Sequence, residues 1–339
     1  MKNLLAALIL SLMLVSLFAV SAMAEEPVAI KALLLPKFES GELAGDFPGE
    51  AQYYYEAYCA GGEEYEIRGG FGENKLYVKD GVALYVTGMG KVNTALSLMA
   101  VLNDSRFDFS NAYVISTGCA GSAYEYGVMG DVFVITAAID YDLGHHADIR
   151  EMTDPEDTTW FHDASYDSSS YKLLDQELMA KVYDLVKDVP LATTERTRNF
   201  MSAAFDGAEW AVRDPKVLRG TTVTGDNYWK GYRDHANALL MCETYGAPDP
   251  FALTEMEDTA LAVVLDRLGM LDRFIIIRDS VNMDVFMNGA TPESLWDPSF
   301  KETLASEENV EAADIFATAR KNNFDVGSVV VNAILDGSL

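Results

Sequence analysis

Glycines, carboxylates and amides of this 339-residue chain recur in patterns that suit ligand binding. Two glycine-rich turns lie at residues 86–92 and 116–122, acidic residues at 254–258 open an apolar helix, and an amide closes a strand at 275–282. Each pattern falls where a predicted strand ends or a helix begins, the position at which open α/β sheets build ligand sites. Together they predict a small-molecule pocket.

The first turn carries Thr87, Gly88 and Gly90 between a strand and a helix. Backbone N–H groups at a helix start, helped by the Thr87 hydroxyl, suit phosphate, another anion or a sugar oxygen. Tight strand-to-helix packing is the alternative explanation. The turn lacks the further glycine of the dinucleotide fingerprint and the Gly-Lys-Ser/Thr ending of a P-loop, so it indicates neither NAD nor ATP.

The second turn again places small residues past a strand end, where the backbone can approach a ligand closely. A tight turn without a ligand explains it equally well. Its candidate binding residues are Gly118, Cys119, Ala120 and Gly121.

Met256 and Glu257 lie in the acidic stretch that opens the predicted helix. Carboxylates near a helix start are stabilised by the macrodipole, so simple capping accounts for them. The functional alternative is that the two oxygens of Glu257 accept hydrogen bonds from the 2′ and 3′ hydroxyls of a ribose. Sequence alone does not choose between the two.

Tyr228, Trp229 and Asn282 offer groups that recognise a heterocyclic base. Either aromatic ring could stack on a purine, although adjacent aromatics commonly fill a core or an interface. The Asn282 amide both donates and accepts hydrogen bonds at a base edge, although an Asn at a strand end is usually a turn former.

Read together, these residues resemble the purine nucleoside permease family, which is distantly similar to the nucleoside phosphorylase and methylthioadenosine nucleosidase superfamily. The resemblance runs from about residue 30 to residue 295. The short matches, in order, are residues 36–39, 45–50, 87–90, 106–109, 118–121, 224–226, 255–259 and 278–282.

The resemblance implies a role for each motif. Residues 87–90 would lie at the phosphate or ribose end and residues 118–121 along the base pocket. Tyr228 would stand beside the purine, and Met256 with Glu257 at the ribose.

The resemblance also bears on catalysis. Asn282 stands where nucleosidase relatives carry an Asp that protonates the purine, and an amide is no general acid at neutral pH. It can still hydrogen-bond N7 of a 6-oxopurine. Arg278 would support the site, and Glu39 is the candidate for activating water if the reaction is hydrolysis.

Two functions follow as expectations. The first is a secreted purine-nucleoside-binding protein that serves nucleoside uptake with a membrane transport partner, because the mature chain shows neither spanning helices nor a barrel pattern. The alternative is an enzyme that cleaves the N-glycosidic bond, either a phosphorylase with inorganic phosphate as co-substrate or a nucleosidase. A third reading is a surface protein that neither binds nor cleaves. A homo-oligomer is expected by analogy only.

The N-terminus predicts the compartment. Lys2 precedes an apolar run at 4–20, and Ala22 and Ala24 provide a signal peptidase site before Glu25. We therefore expect a signal peptide over 1–24, with an uncleaved anchor as the alternative, and a mature domain over 25–339 that is periplasmic or extracellular.

Composition excludes several partners. With 25 Lys and Arg against 53 Asp and Glu, the net charge of −28 repels nucleic acid. Three separated cysteines and four histidines lack metal-binding spacing, so neither a metal nor another cofactor is expected. The cysteines are either three buried thiols or one disulfide and one free thiol.

Alternating strand and helix patterns predict a single α/β domain. It should be built on a central mixed, mainly parallel sheet with helices on both faces, similar to nucleoside phosphorylases. Residues 151–170 read as a surface loop or lid. Strands are expected at 28–35, 82–87, 112–116, 132–138, 219–224 and 274–278, and helices at 91–102, 171–187, 257–268, 310–321 and 326–335.

Overall fold

The computed structural model describes residues 26–72, 75–154, 157–291 and 308–339, so the predicted signal peptide lies outside the described residues. Its strands are β1 Val28–Ala29, β2 Ala32–Leu35, β3 Glu63–Glu66, β4 Lys75–Lys79, β5 Val82–Tyr85, β6 Phe107–Asp108, β7 Tyr113–Ser122, β8 Val132–Asp140, β9 His145–His146, β10 Trp160–Phe161, β11 Tyr171–Leu173, β12 Val217–Thr224, β13 Phe251–Glu255 and β14 Phe274–Met283. Its helices are α1 Gln52–Tyr54, extended by a π-helical turn over Tyr55–Cys59, α2 Lys91–Leu102, α3 Asp167–Ser170, α4 Gln176–Val186, α5 Glu195–Ala204, α6 Tyr232–Tyr245, α7 Asp258–Arg267 and α8 Glu308–Asp336.

The central sheet closes on itself into a small barrel. Strand β7 pairs with β14, β14 with β8, β8 with β12, β12 with β13, and β13 returns to β7. From β7 the sheet continues through β2, β5, β4 and β3, and β11 is added beside β8. The sheet is mixed, because the β2–β7, β7–β14 and β8–β12 pairs are parallel whereas β8–β14 and β13–β7 are antiparallel.

The core strands are buried on both sides, as their continuous apolar sequences require. Strand β14 begins with Phe274-Ile275-Ile276-Ile277, and each of these side chains has no exposed surface. Successive side chains alternate faces, so Arg278 points toward the start of α7 and Asp279 points toward Arg320 of α8. Helices therefore cover both faces of this strand.

The predicted α/β fold with a mixed sheet and flanking helices is confirmed, and each predicted strand has a counterpart. The predicted helix 91–102 has the bounds of α2. Residues 28–35 form two short strands, β1 and β2, rather than one.

Two helix predictions are wrong in their bounds. Residues 171–173 form β11, and α4 starts only at Gln176, where the Asp175 carboxylate caps the Leu178 amide. Residues 310–321 and 326–335 belong to one continuous helix, α8. Their polar junction is not a break, because Asn322 and Asn323 donate to Gly130 and Ile277 carbonyls of neighbouring segments.

The predicted surface loop at 151–170 is only partly irregular. It contains β10, which pairs with β9, and the short helix α3. Trp160 is buried against Val223 and Met241, so this segment contributes to the core.

The described part of the chain answers two further questions. All three cysteines are free thiols; Cys59 and Cys242 are buried, whereas Cys119 is partly exposed. None of the described helices is both long and apolar enough for a bilayer crossing.

Candidate functional site

A cleft opens where several strands of the barrel end. Its enclosed volume is about 100 Å³, smaller than the roughly 300–1,000 Å³ of typical small-molecule sites. A larger groove near Glu39 and Phe71 is more open and has none of the charge clusters described below. The cleft is lined by Lys37, Glu50, Met89, Cys119, Ala120, Gly121, Asn227, Tyr228, Trp229, Thr254, Glu255, Met256, Glu257, Arg278 and Asn282.

Arg278 forms the charged floor of the cleft. Its guanidinium is 1% exposed, and Nη2 lies 3.2 Å from Glu255 Oε2, 3.1 Å from Glu257 Oε2 and 2.7 Å from Asp258 Oδ1. Strand β14 projects the arginine inward, and the β13–α7 junction supplies all three carboxylates. A buried cation with several anionic partners is fully engaged and fixes the orientation of each carboxylate.

The pKa values of the three carboxylates around Arg278 shift in different directions. Burial, followed by repulsion from Asp258, raises the pKa of Glu255 to about 7. Burial also raises the pKa of Glu257, against the attraction of Arg278. Burial likewise disfavours the charge of Asp258, but Arg278 and the Ser116 hydroxyl outweigh it and lower the pKa of Asp258.

Lys37 and Glu50 are two further charged residues that line the cleft. Lys37 Nζ donates to the Leu35 and Thr117 carbonyls and to Ser116 Oγ, and burial lowers its pKa to about 8. The Glu50 carboxylate accepts the Lys37 amide at 2.7 Å and the Cys119 amide at 2.8 Å. Both side chains are therefore held by backbone groups at the ends of β2 and β7.

The start of α2 is capped by carboxylates of the protein itself. Glu257 Oε1 accepts the Gly90 amide at 3.0 Å, and Asp226 Oδ1 accepts the Lys91 amide at 2.7 Å. The Lys91 ammonium lies 2.8 Å from Asp140 and 2.9 Å from Asp142. Two amide donors of this turn, those of Gly90 and Lys91, thus have carboxylate partners within the protein.

The opposite wall is aromatic and amide-rich. Trp229 stacks on Tyr141 with ring centroids 5.2 Å apart, whereas Tyr228 is 59% exposed at the rim and leaves its ring open to a ligand. Asn282 follows a register shift in β14 and approaches Gly121 so closely that a Cβ there would lie 2.7 Å from its amide nitrogen. Glycine at 121 therefore makes room for the Asn282 side chain.

The structure brings most of the predicted site residues into this cleft. Those that line it are Cys119, Ala120, Gly121, Tyr228, Trp229, Met256, Glu257, Arg278 and Asn282. Gly90 lies beside it through its bond to Glu257, and Gly118 packs against Glu50, where an added Cβ would lie 2.5 Å from the carboxyl group.

Besides Gly90 and Gly118, three more predicted site residues do not line the cleft. Thr87 is fully buried and bonds Thr94 Oγ1, and an added Cβ at Gly88 would lie 2.5 Å from the Phe71 ring. The Glu39 carboxylate instead accepts the Ala51 and Gln52 amides at the start of α1. Glu39 therefore caps the start of α1 and lies outside the cleft.

Sequence reasoning missed Glu50 as a site residue, although residues 45–50 were among the family matches. It also gave no role to Glu255 or Asp226. Acidic residues near helix starts are common, so their type carries no signal of a site. Only the fold shows that Glu255 faces Arg278 and that Asp226 accepts the Lys91 amide at the start of α2.

This arrangement suits an uncharged polar ligand. Within the described residues, the cations that line the cleft are Lys37 and Arg278, and both are engaged by the protein. Glu50 and Glu257 provide acceptors, Asn282 an amide and Tyr228 an open ring. No group of His, Cys, Asp and Glu in the described ranges has the arrangement of a metal site.

Comparisons with known proteins relate the chain to a nucleoside-related family. The profile of the family described as "Purine nucleoside permease (NUP)" matches residues 28–338. A Schizosaccharomyces pombe protein named "Probable purine nucleoside permease C285.05" is 26% identical over 242 residues, which cover 63% of this chain and 69% of that protein. A Candida albicans protein named "Purine nucleoside permease" is 24% identical over 213 residues, or 57% of this chain and 52% of that protein. The match therefore spans about half the length of the Candida relative.

Solved structures with the same fold include a nucleosidase and a hydrolase. The 5′-methylthioadenosine/S-adenosylhomocysteine nucleosidase of Neisseria meningitidis superposes with a TM-score of 0.52 at 17% identity, over 89% of this chain and 99% of that one. The futalosine hydrolase of Helicobacter pylori gives a TM-score of 0.55 at 13% identity, over 89% and 97%. At such identities the likeness establishes the nucleoside phosphorylase-like fold alone.

Proposed function

Because the chain belongs to the purine nucleoside permease family, we propose that it binds a purine nucleoside in this cleft and serves nucleoside uptake. The observation that carries the proposal is the fixed orientation of Glu257. One carboxylate oxygen accepts the Gly90 amide and the other faces Arg278, so further lone pairs of both oxygens can accept ribose hydroxyls. Preorganisation of this kind lowers the entropy lost on binding.

The remaining cleft residues fit the other parts of a nucleoside. The exposed Tyr228 ring offers a stacking surface for the purine, and Asn282 offers an amide to its edge. Met89 and Met256 supply apolar contacts at the rim. In this proposal the signal peptide exports the protein to the periplasm or the exterior, and a membrane partner completes transport. Self-association of the chain is part of the same proposal.

Titration calorimetry tests this function. The chain beginning at Glu25 is titrated with adenosine, inosine and guanosine, and we expect saturable binding of at least one. Glu257→Ala should abolish it, whereas Glu243→Ala, at an exposed site on α6, should leave it unchanged. Absence of binding to all three nucleosides by the folded protein would reject the proposal.

Cleavage of the N-glycosidic bond is the second candidate, favoured by Glu50. Its carboxylate lines the cleft, held by two backbone amides, and is placed to activate a water molecule. Asn282 cannot donate a proton as a carboxylic acid would, so the leaving purine would take its proton from water. Phosphorolysis is less favoured, because both cleft cations already have internal partners.

Quantifying free base by chromatography, with and without phosphate, separates the candidates. Phosphate-independent release that falls about 100-fold or more in Glu50→Gln supports hydrolysis. Release that requires phosphate identifies a phosphorylase and contradicts the role given to Glu50. Binding without release leaves nucleoside uptake.

A further inference from the structure

The turn that opens α2 is built like an anion site but already contains anions of the protein. The N-terminus of a helix attracts negative charge through its free amides and its dipole. Here the Gly90 amide is taken by Glu257 and the Lys91 amide by Asp226. A phosphate group entering the cleft from this side would have to displace these carboxylates.

We infer that Asp226, acting with Glu257, restricts the cleft to unphosphorylated nucleosides. This inference rests on the proposed function for its substrate class, and it adds which ligands the site rejects. Asp226 occupies an amide that a phosphate would use and adds negative charge at the cleft edge. Specificity of this kind comes from repulsion of the wrong ligand rather than from new contacts with the right one.

The position of Asp226 is fixed by its neighbours. The Asp226 amide donates to Asp142 Oδ2 at 2.6 Å, and the Asn227 side chain donates to Asp142 Oδ1 at 3.0 Å. Gly90 leaves room for the carboxylate, because a Cβ there would lie 3.2 Å from Asp226 Oδ1. The loop that carries the cleft residues Asn227, Tyr228 and Trp229 is therefore anchored to the start of α2 by Asp226.

The nearby cations do not compensate for these carboxylates. Lys91 is paired with Asp140 and Asp142, and Arg278 is shared by three carboxylates. Lys37 is 1% exposed and donates to two carbonyls and a hydroxyl. Lys230, adjacent to Trp229, is attracted by Asp284 and does not line the cleft. Among the described residues, the cations that line the cleft or lie at the start of α2 are therefore already engaged, and a phosphate dianion there would meet carboxylates.

The experiment compares inosine, inosine 5′-monophosphate and inorganic phosphate by titration calorimetry. Wild-type protein should bind inosine and show at least about tenfold weaker binding of the monophosphate, because juxtaposed like charges are strongly unfavourable. Asp226→Asn keeps an oxygen for the Lys91 amide but removes the charge. It should bind the monophosphate about tenfold more tightly than wild type, and the ratio of monophosphate affinity to inosine affinity should rise by a similar factor.

Asp175→Asn is the matched control, since Asp175 is an exposed aspartate that caps α4 through the Leu178 amide. It should change neither affinity. Wild-type binding of the monophosphate as tight as that of inosine would overturn the inference without any variant. So would an unchanged monophosphate affinity in folded Asp226→Asn, or in Asp226→Ser if the first variant does not fold.

Failure of this inference can be distinguished from failure of the proposed function. If wild-type protein binds no nucleoside, the proposed function fails. The selectivity claim is then decided by titrating inorganic phosphate into wild type and Asp226→Asn. A gain of phosphate binding in the variant supports it, and equal absence of binding in both overturns it.

Discussion

Replacing Arg278 by Met should reveal how far the floor of the cleft depends on one cation. The substitution keeps an apolar stem of similar length but removes the guanidinium that lies within 3.2 Å of Glu255, Glu257 and Asp258. All three carboxylates are at least 95% buried, so water cannot replace the lost partner. Removing one member of a buried ion pair typically destabilises a protein by about 3–5 kcal/mol.

The loss should depend on pH with a definite sign. Without Arg278, burial and mutual repulsion raise the folded-state pKa values of Glu255 and Glu257 further above their unfolded values, and the attraction that lowers the pKa of Asp258 is lost. Groups with raised folded pKa values stabilise the fold at low pH and lose that contribution as pH rises through the folded pKa. We therefore expect the variant to be closest to wild type near pH 5 and furthest from it near pH 8.

Urea unfolding followed by tryptophan fluorescence at pH 5, 7 and 8 measures the difference. Arg198→Met is the control, because the Arg198–Asp214 pair is exposed at both ends and should contribute less than about 1 kcal/mol. A deficit in Arg278→Met below about 1 kcal/mol, or one that does not grow from pH 5 to pH 8, would refute the assignment of a charge-balanced floor.

Two further substitutions test the cleft. Gly118 has φ +146°, and an added Cβ would lie 2.5 Å from the Glu50 carboxyl group, so Gly118→Ala should weaken nucleoside binding by about tenfold or more. The control is Gly246→Ala, which is strained at φ +61° but has no close neighbours and should leave binding unchanged. Equal affinities of the two variants in calorimetry would contradict this prediction. Burial, followed by repulsion from Arg278, lowers the pKa of Lys37 from 10.5 to about 8. The unfolded chain thus holds this proton to higher pH than the fold does, and wild-type stability relative to Lys37→Met should rise by up to about 3 kcal/mol between pH 8 and pH 10.5. Urea midpoints that stay level or fall over this range would contradict that prediction.

The sequence predicted the elements whose patterns are local. The apolar run of β14 and the helical spacing of α2 are readable without tertiary information, and both were predicted. The unpredicted strand β13 looks ambiguous because Phe251-Ala-Leu-Thr-Glu255 is short and ends in two polar residues, of which Glu255 is buried. The burial of Glu255 is possible because Arg278 and two threonine hydroxyls donate hydrogen bonds to its carboxylate.

The site was predicted in part for the same reason. Motifs that recur as contiguous stretches, such as 118–121 and 256–257, lead directly to cleft residues. Glu39 and Glu50 could not be ranked from sequence, because both are acidic residues between β2 and α1. The intervening loop turns the first carboxylate toward the amides of α1 and the second toward Lys37 and Cys119.

The charge balance of the cleft also gives a physical account of Asn282. Glu50, Glu255 and Glu257 already line the cleft, and the cations there are engaged. A further ionised carboxylate at position 282 would add uncompensated negative charge, and a protonated one would need a strongly raised pKa. An amide keeps the donor and acceptor that recognise a purine edge without adding charge. Neutral recognition at Asn282 and the carboxylate-capped start of α2 thus favour the same ligand, an intact uncharged nucleoside held by hydrogen bonds and stacking.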